Sequence, residues 1–172
     1  AKVVITNGLG FEGWMSRLVR ASGTRAPVVV ATKGIAVRRT TGHGHSDADP
    51  HAWQSVANAK VYVANIRAAL VAADPAGKAD YEANAAAYLD KLDALDREIK
   101  TAVTAIPADR RRIISSHDAF GYFTQAYGVE FIAPQGVSTE AEASARDVAR
   151  IITQIKRQKV PAVFLENVSD PR

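Results

Sequence analysis

The chain has 172 residues, 47% of them hydrophobic, which suffices for one domain or two small lobes. Its 22 basic and 18 acidic side chains give a net charge of +4, spread without interleaved base-stacking aromatics, which argues against nucleic-acid binding. No apolar run reaches the roughly 18 residues of a membrane span, and the absence of cysteine excludes disulfides and thiolate metal sites.

The first part of the chain predicts a strand, a helix and a second strand. Residues 3–5 are an apolar strand, a turn follows, and residues 12–21 carry apolar side chains at helical spacing. Residues 28–31 are a β-branched run, so the segment indicates a βαβ unit with a parallel sheet. Residues 33–49 are polar and contain glycine and histidine, which predicts a loop, and a helix is predicted over residues 54–73.

The strongest periodic signal predicts one uninterrupted helix over residues 77–105. Apolar side chains alternate steps of four and three along it, at Tyr81, Ala85, Tyr88, Leu92, Leu95, Ile99, Ala102 and Ile106. At about 1.5 Å per residue this helix would be roughly 43 Å long, which is longer than a small lobe needs. Because its flanks lack a regular charge scheme, we interpret it as a spine that packs against two lobes rather than as a coiled-coil arm.

Beyond residue 107 the strand and helix alternation resumes. Strands are predicted at residues 112–115, 129–132 and 161–165, and helices at residues 118–127 and 139–158. Gly128 marks the end of the first of these helices, and a capping-box pattern at 139–142, which explains Glu140 and Glu142, opens the second.

The predicted fold class is α/β, with two lobes of parallel sheet joined by one long spanning helix. Residues 1–76 would form the remainder of the N-terminal lobe with its histidine-bearing loop, residues 77–106 the spanning helix, and residues 107–172 the first part of the C-terminal lobe. Because both ends interrupt the alternation of strands and helices, we expect the chain to be a fragment that lacks both ends of this fold.

The chain has only four histidines, and two of them lie in distinctive settings. His51 follows Asp49 and Pro50, a pair typical of helix starts, and would lie against Trp53. His117 follows an apolar strand, at the edge where open α/β sheets bind ligands. Neutral imidazole is the commonest protein ligand for transition metals, so the two could share a metal site. Taken singly, His51 could instead merely pack on Trp53, and His117 could be a structural residue at the end of a strand.

Other polar side chains could support such a site. Ser116 could cap a helix that begins at Asp118, and the dipole of that helix would keep the His117 ring neutral. Asp118 could orient that ring.

The remaining polar candidates allow two interpretations each. His43 and His45 could form an accessory metal-capturing loop or an ordinary solvated loop, since ordering a flexible loop costs entropy. Glu166 could be a ligand or a hydrogen-bond partner, and we favour the structural role. No phosphate-binding loop, nucleophile elbow or H-E-x-x-H motif is present.

In combination, several motifs resemble the cluster A-I metal-binding substrate-binding proteins of bacterial ABC transporters, the zinc and manganese family. In chain order these are residues 7–12 (NGLGFE), 49–53 (DPHAW), the long helix, 116–123 (SHDAFGYF), 135–140 (QGVSTE) and 163–167 (VFLEN). The resemblance implies two α/β lobes joined by a rigid helix, with a metal ion between them. It also implies that His51 and His117 are metal ligands, and that His43 and His45 are a sparse form of the histidine-rich loop of zinc members. The family's first ligand, a histidine, and its last, usually an aspartate, would lie outside this chain.

The function that this resemblance implies is extracytoplasmic, for example periplasmic, capture of a divalent transition metal. The metal would pass to the membrane permease of an ABC importer, and we expect the capturing protein to be a monomer. Histidine at position 117, where a glutamate could stand, favours Zn²⁺ over the alternative Mn²⁺, because imidazole-rich sites suit zinc.

Two other functions stay open on this fold. One is an adhesin-type or protein-interaction module. The other is a zinc hydrolase, which needs an open coordination position and a general base. Because no glutamate beside either histidine is placed to act as that base, we expect that the chain is not an enzyme.

Overall fold

The first part of the chain folds as the expected strand, helix and strand. The computed structural model describes residues 1–42, 45–133, 144–158 and 160–164. β1 (Val4–Thr6) pairs in parallel with β2 (Val28–Val30), and α1 (Met15–Ala21) connects them. The helix begins three residues later than predicted, because the Glu12 carboxylate accepts backbone N–H groups of the preceding turn and does not open the helix.

The segment predicted to be a histidine-bearing loop contains a β-hairpin, so the loop prediction is wrong there. β3 (Arg39–Gly42) pairs antiparallel with β4 (His45–Ala48). The β-branched side chains of Thr40 and Thr41 favour extended backbone, and the polar composition of the segment concealed this preference. Because the pairing is antiparallel, the end of β4 lies beside the start of β3, and the chain then enters the next helical segment.

Two long helices form the centre of the structure. α2 (Val56–Ala73) follows a short 3-10 helix, Ala52–Gln54, and α3 (Lys78–Thr104) is continuous over 27 residues. The prediction of one uninterrupted helix is therefore confirmed, with a length of about 40 Å at 1.5 Å per residue. Buried side chains of both helices form one core with two residues from later in the chain; its members are Val56, Leu92, Val103, Tyr127 and Val129.

The apolar stripe predicted on α3 is only partly buried. Leu92 lies in the core, but Tyr88 and Leu95 are exposed, and Val103 is buried where Ala102 was expected. Because α3 packs mainly against α2, it buries one narrow face, and the apolar side chains that flank this face remain in contact with solvent.

The last part of the chain forms a parallel sheet. β5 (Arg112–Ile114) lies between β6 (Glu130–Ile132) and β7 (Ala162–Val163). Two helices accompany this sheet, α4 (Gly121–Tyr127) and α5 (Ala145–Gln158).

The end of α4 is as predicted, but its start is not. Gly128 ends α4 in a left-handed conformation with φ 72°. The helix begins at Gly121, so Ser116 does not cap it, and the dipole argument for a neutral His117 loses its basis. The residues Asp118–Phe120 instead form a bent link between the sheet and α4, in which the Ala119 backbone N–H donates to the His117 carbonyl at 3.0 Å, so His117 lies away from the helix terminus.

The parallel sheets and the long helix confirm the α/β fold class. The division into lobes at residues 1–76 and 107–172, joined by residues 77–106, stays a prediction. The motif at 135–140, the capping box at 139–142 and Glu166 lie outside the described residues, and so does His43. Among the helices that the structure describes, none is long and apolar enough to cross a bilayer.

Candidate metal site

The two histidines singled out by their settings lie side by side. The ring centroids of His51 and His117 are 5.3 Å apart, with the ring planes at 62°. Both residues are buried, with 6% and 8% of their surface exposed. Two imidazoles bound to one tetrahedral zinc at about 2.0–2.1 Å would place their centroids on the order of 5 Å apart. The prediction that the two rings meet is confirmed, and their separation suits one shared ion.

A buried carboxylate orients the His51 ring. Asp49 is fully buried, and its Oδ1 accepts the backbone N–H of His51 at 3.0 Å. The same oxygen lies 2.9 Å from His51 Nδ1. A proton on Nδ1 satisfies this contact, and we assign that tautomer because the carboxylate can only accept. It leaves the lone pair of Nε2 available to a metal ion.

Asp49 keeps its charge because it is paired inside the protein. Arg38 Nη1 lies 2.6 Å from Asp49 Oδ2. Burial raises the pKa of the Asp49 carboxyl, but hydrogen bonds from His51 and Arg38 outweigh burial and hold that pKa below its usual value. The hairpin makes this pairing possible, since the Asp49 backbone N–H donates to the Arg38 carbonyl at 2.9 Å.

The role of Asp49 differs from the sequence interpretation. It was expected to cap a helix, but His51 itself precedes the 3-10 helix, and Ser55 precedes α2. An aspartate two residues before a histidine can bond both the backbone and the ring of that histidine, and this spacing was the available signal. Arg38 was not identified at all, because it lies in the segment predicted to be a loop.

An early turn supports the peptide before His51. Asn7 Nδ2 donates to the Pro50 carbonyl at 3.1 Å, and the Tyr62 hydroxyl donates to Asn7 Oδ1. The Glu12 carboxylate accepts the backbone N–H groups of Asn7 at 2.5 Å and Gly8 at 3.1 Å. The turn therefore holds the carbonyl that directly precedes His51.

Glycine is required in this turn at position 8. Gly8 has φ +84°, and a Cβ there would lie 2.4 Å from Val30 Cγ1. A larger residue would be strained in this backbone region and would push the turn away from β2.

The structure describes only some of the other predicted site residues. The Asp118 carboxylate lies 3.9 Å from Arg38 Nη2 and is 35% exposed, so its role in orienting His117 stays a prediction. His45 begins β4 opposite Gly42. His43 and Glu166 lie outside the described residues, and the accessory role of His43 and His45 stays a prediction.

The pair of histidines is not joined by further ligands in the part of the chain that the structure describes. Within residues 1–42, 45–133, 144–158 and 160–164, no three His, Cys, Asp or Glu side chains converge as a metal site. What the described residues provide is two adjacent imidazoles, one of them held by a buried carboxylate.

Comparison with known proteins identifies relatives of the whole chain. The family profile "Zinc-uptake complex component A periplasmic" matches residues 1–172. The manganese ABC transporter substrate-binding lipoprotein PsaA of Streptococcus pneumoniae is 34% identical over 100% of this chain and 58% of its own length. The iron-binding protein YfeA of Yersinia pestis is 35% identical over 99% of this chain and 55% of its own. The chain thus spans little more than half of these relatives.

Solved structures of the same kind superpose closely. The periplasmic zinc-binding protein TroA of Treponema pallidum gives a TM-score of 0.90 at 33% identity, over 99% of this chain and 61% of its own. A crystal structure of ZnuA gives a TM-score of 0.87 at 28% identity, over 99% of this chain and 64% of its own.

Proposed function

Because the chain belongs to the family of periplasmic zinc-uptake complex component A proteins, we propose that it captures a divalent transition metal outside the cytoplasm for an ABC importer. The relative PsaA is a substrate-binding lipoprotein of a manganese ABC transporter, and TroA is a periplasmic zinc-binding protein. This family membership confirms the expected location and the expectation that the chain is not an enzyme, and it excludes the zinc hydrolase. Since the chain spans 58% of PsaA, capture and delivery are proposed for the whole protein.

The observation that carries the proposal is the pair of buried imidazoles. His51 and His117 lie at a centroid separation of 5.3 Å, which suits one shared ion. The Asp49 carboxylate fixes the tautomer of His51 that presents Nε2, and such carboxylate partners are typical of metal-binding histidines. We therefore propose His51 and His117 as two ligands of the captured metal.

We propose zinc as the metal, with manganese as the alternative. The names of the relatives do not decide the choice, since PsaA is a manganese protein, YfeA binds iron and TroA binds zinc. The ligand type does favour one of them, because two imidazoles suit zinc better than manganese, which prefers carboxylate and carbonyl oxygens. We propose a membrane permease as the partner that receives the metal, and a monomer as the capturing species.

Calorimetric titration with ZnCl₂ and MnCl₂ tests this function. We expect His51→Ala and His117→Ala each to weaken zinc binding by more than about 100-fold, beyond the 10–100-fold that follows loss of a supporting residue. The control is the double variant His43→Ala with His45→Ala, which removes two histidines and should leave zinc affinity unchanged. Wild-type zinc affinity in either single variant would contradict the assignment of that ligand. Tighter binding of manganese than of zinc would contradict the choice of metal.

A further inference from the structure

We propose that Arg38 is a positioning residue that fixes the spacing between the His51 and His117 rings. The proposal rests on the proposed function, because it takes both histidines as metal ligands. Arg38 touches neither ring in the contacts described above, so it acts through its carboxylate partners.

One guanidinium group connects the two histidine segments. Arg38 Nη1 lies 2.6 Å from Asp49 Oδ2, and Arg38 Nη2 lies 3.9 Å from Asp118 Oδ2. Asp49 is hydrogen-bonded to His51, and Asp118 directly follows His117. The planar fork of an arginine can face two carboxylates at once, whereas a lysine ammonium acts as a point charge. Arg38 therefore holds both segments at a defined distance.

A second tie joins the same two segments. The Arg38 backbone N–H donates to the Tyr122 hydroxyl at 2.9 Å, and that hydroxyl donates to the Asp49 carbonyl at 3.2 Å. Tyr122 is only 4% exposed and lies five residues after His117. This bond fixes the backbone at Arg38, from which the guanidinium extends.

The residue beneath the guanidinium is a glycine. A Cβ built on Gly121 would lie 2.1 Å from Arg38 Cζ and 2.2 Å from Nη1. Gly121 begins α4 and is absent from the positive-φ positions, so its backbone conformation does not itself call for glycine. Its missing side chain instead leaves the space that the guanidinium occupies.

A purely structural role for Arg38 would have a different signature. If Arg38 only neutralised the buried Asp49 carboxylate, any cation within reach would serve, and a lysine would replace it. If Arg38 sets the ring spacing, the fork and its position over Gly121 both matter. The distinction can be tested without removing the charge.

Gly121→Ala is the sharpest variant, because it displaces the guanidinium while Arg38 and its charge remain. Alanine is a better helix former than glycine, so α4 should still form. Gly13→Ala is the matched control, since a Cβ on Gly13 meets no atom within 4 Å. Arg38→Lys is the second variant, and it keeps the charge without the fork.

The first measurement is made on the metal-free full chain by NMR. We expect ring-to-ring NOEs between His51 and His117 in the wild type and in Gly13→Ala. These NOEs should be lost or weakened in Gly121→Ala and Arg38→Lys. The ¹⁵N shifts of the His51 ring should move away from a single tautomer in the same two variants. Unchanged NOEs and ring shifts in both variants would overturn the proposal.

The second measurement is zinc affinity. We expect Gly121→Ala and Arg38→Lys each to weaken zinc binding by about 10–100-fold, the usual loss for a residue that supports a ligand. In the double variant the effects should not add, because both changes remove the same contact. Additive losses would overturn the proposal, since Gly121 would then act independently of Arg38.

The two measurements separate this inference from the proposed function. Failure of the whole protein to bind zinc would contradict the proposed function, while the NOEs of the metal-free chain would still decide whether Arg38 positions the rings. Tight zinc binding by the wild type, Gly121→Ala and Arg38→Lys alike would leave the function standing and overturn the role of Arg38.

Discussion

At the scale of single residues, the Asp49 carboxylate decides which nitrogen of His51 would be available to a metal ion. Asp49→Asn keeps the shape of the side chain but removes its negative charge. That charge pairs with Arg38, and the carboxylate accepts a hydrogen bond from the His51 ring. We expect zinc affinity to fall by about 10–100-fold, because the His51 tautomer is no longer fixed. Breaking this buried pair should also lower the free energy of unfolding by about 3–5 kcal/mol.

Asp93→Asn is the matched control for this prediction. Asp93 forms an ion pair with Lys60 at the same distance, 2.6 Å, but 47% of its side chain is exposed. Exposed pairs contribute about 0–1 kcal/mol, so stability and zinc affinity should stay near wild type. Urea unfolding and zinc titration of both variants provide the measurements. Equal effects of the two substitutions would show that burial and the contact with His51 do not matter.

The candidate ligands could be predicted from the sequence, whereas their supporting residues could not. His51 and His117 each lie in a distinctive motif, and few histidines compete with them. Asp49 was predicted only as a residue of a helix start, and its bond to the His51 ring was missed. Arg38 meets its partners only through the folded chain, and no local pattern marks it.

At the scale of elements, the hairpin explains why Arg38 was missed. Arg39 lies opposite Ala48 in the antiparallel ladder, so the next pair outward is Arg38 and Asp49. Had the pairing of β3 with β4 been recognised, this register would have placed the guanidinium beside the carboxylate. The sequence predicts a loop there because polar, glycine-containing segments are typical of loops, and only its adjacent threonines favour a strand.

The long helix shows the opposite case, in which the element was predicted and its buried face was not. Apolar spacing identifies a helix without regard to its neighbours, but burial depends on what packs against it. Leu92 and Leu95 belong to the same predicted stripe, yet they are 6% and 43% exposed. Leu92 lies in the core with Val56, Tyr127 and Val129, whereas Leu95 is not a member of that core.

This pair of leucines gives a matched test on one helix. We expect Leu92→Ala to lower the free energy of unfolding by about 2–5 kcal/mol, because it removes buried surface and leaves a cavity. Leu95→Ala should lower stability by no more than about 1 kcal/mol, since 43% of its surface is already exposed and alanine favours helix. Urea denaturation measures both. A loss for Leu95→Ala as large as that for Leu92→Ala would show that another surface covers Leu95.

At the scale of the whole molecule, one polar network ties three helices together. The Tyr127 hydroxyl on α4 donates to Asp96 Oδ1 on α3 at 2.9 Å. The Val56 backbone N–H at the start of α2 donates to that hydroxyl at 3.4 Å. Lys100 Nζ donates to Asp96 Oδ2 at 2.6 Å. The network lies beside the apolar core, so its charge state affects how well the helices hold together.

The acid stability of the chain should therefore depend on Asp96. The Lys100 hydrogen bond holds the pKa of the Asp96 carboxyl below its usual value; partial burial opposes this, and the Tyr127 hydrogen bond adds to it. A carboxyl with a lowered folded pKa contributes stability that is fully present above its unfolded pKa of about 3.9. That contribution is lost as the pH falls through the lower folded value.

We expect Asp96→Asn to be less stable than wild type at pH 7 and to lose less stability below about pH 4, where the unfolded carboxyl binds a proton first. Asp90→Asn on the same helix is the control, because Asp90 is exposed and its loss also removes one carboxylate. Urea unfolding at stepped pH measures the dependence. If the free energy of unfolding fell equally steeply with pH in the wild type and in Asp96→Asn, the Asp96 carboxylate would not contribute to acid stability. We expect the stability of Asp96→Asn to fall less steeply with pH than that of the wild type and of Asp90→Asn, because Asp96 is hydrogen-bonded to Tyr127 on another helix.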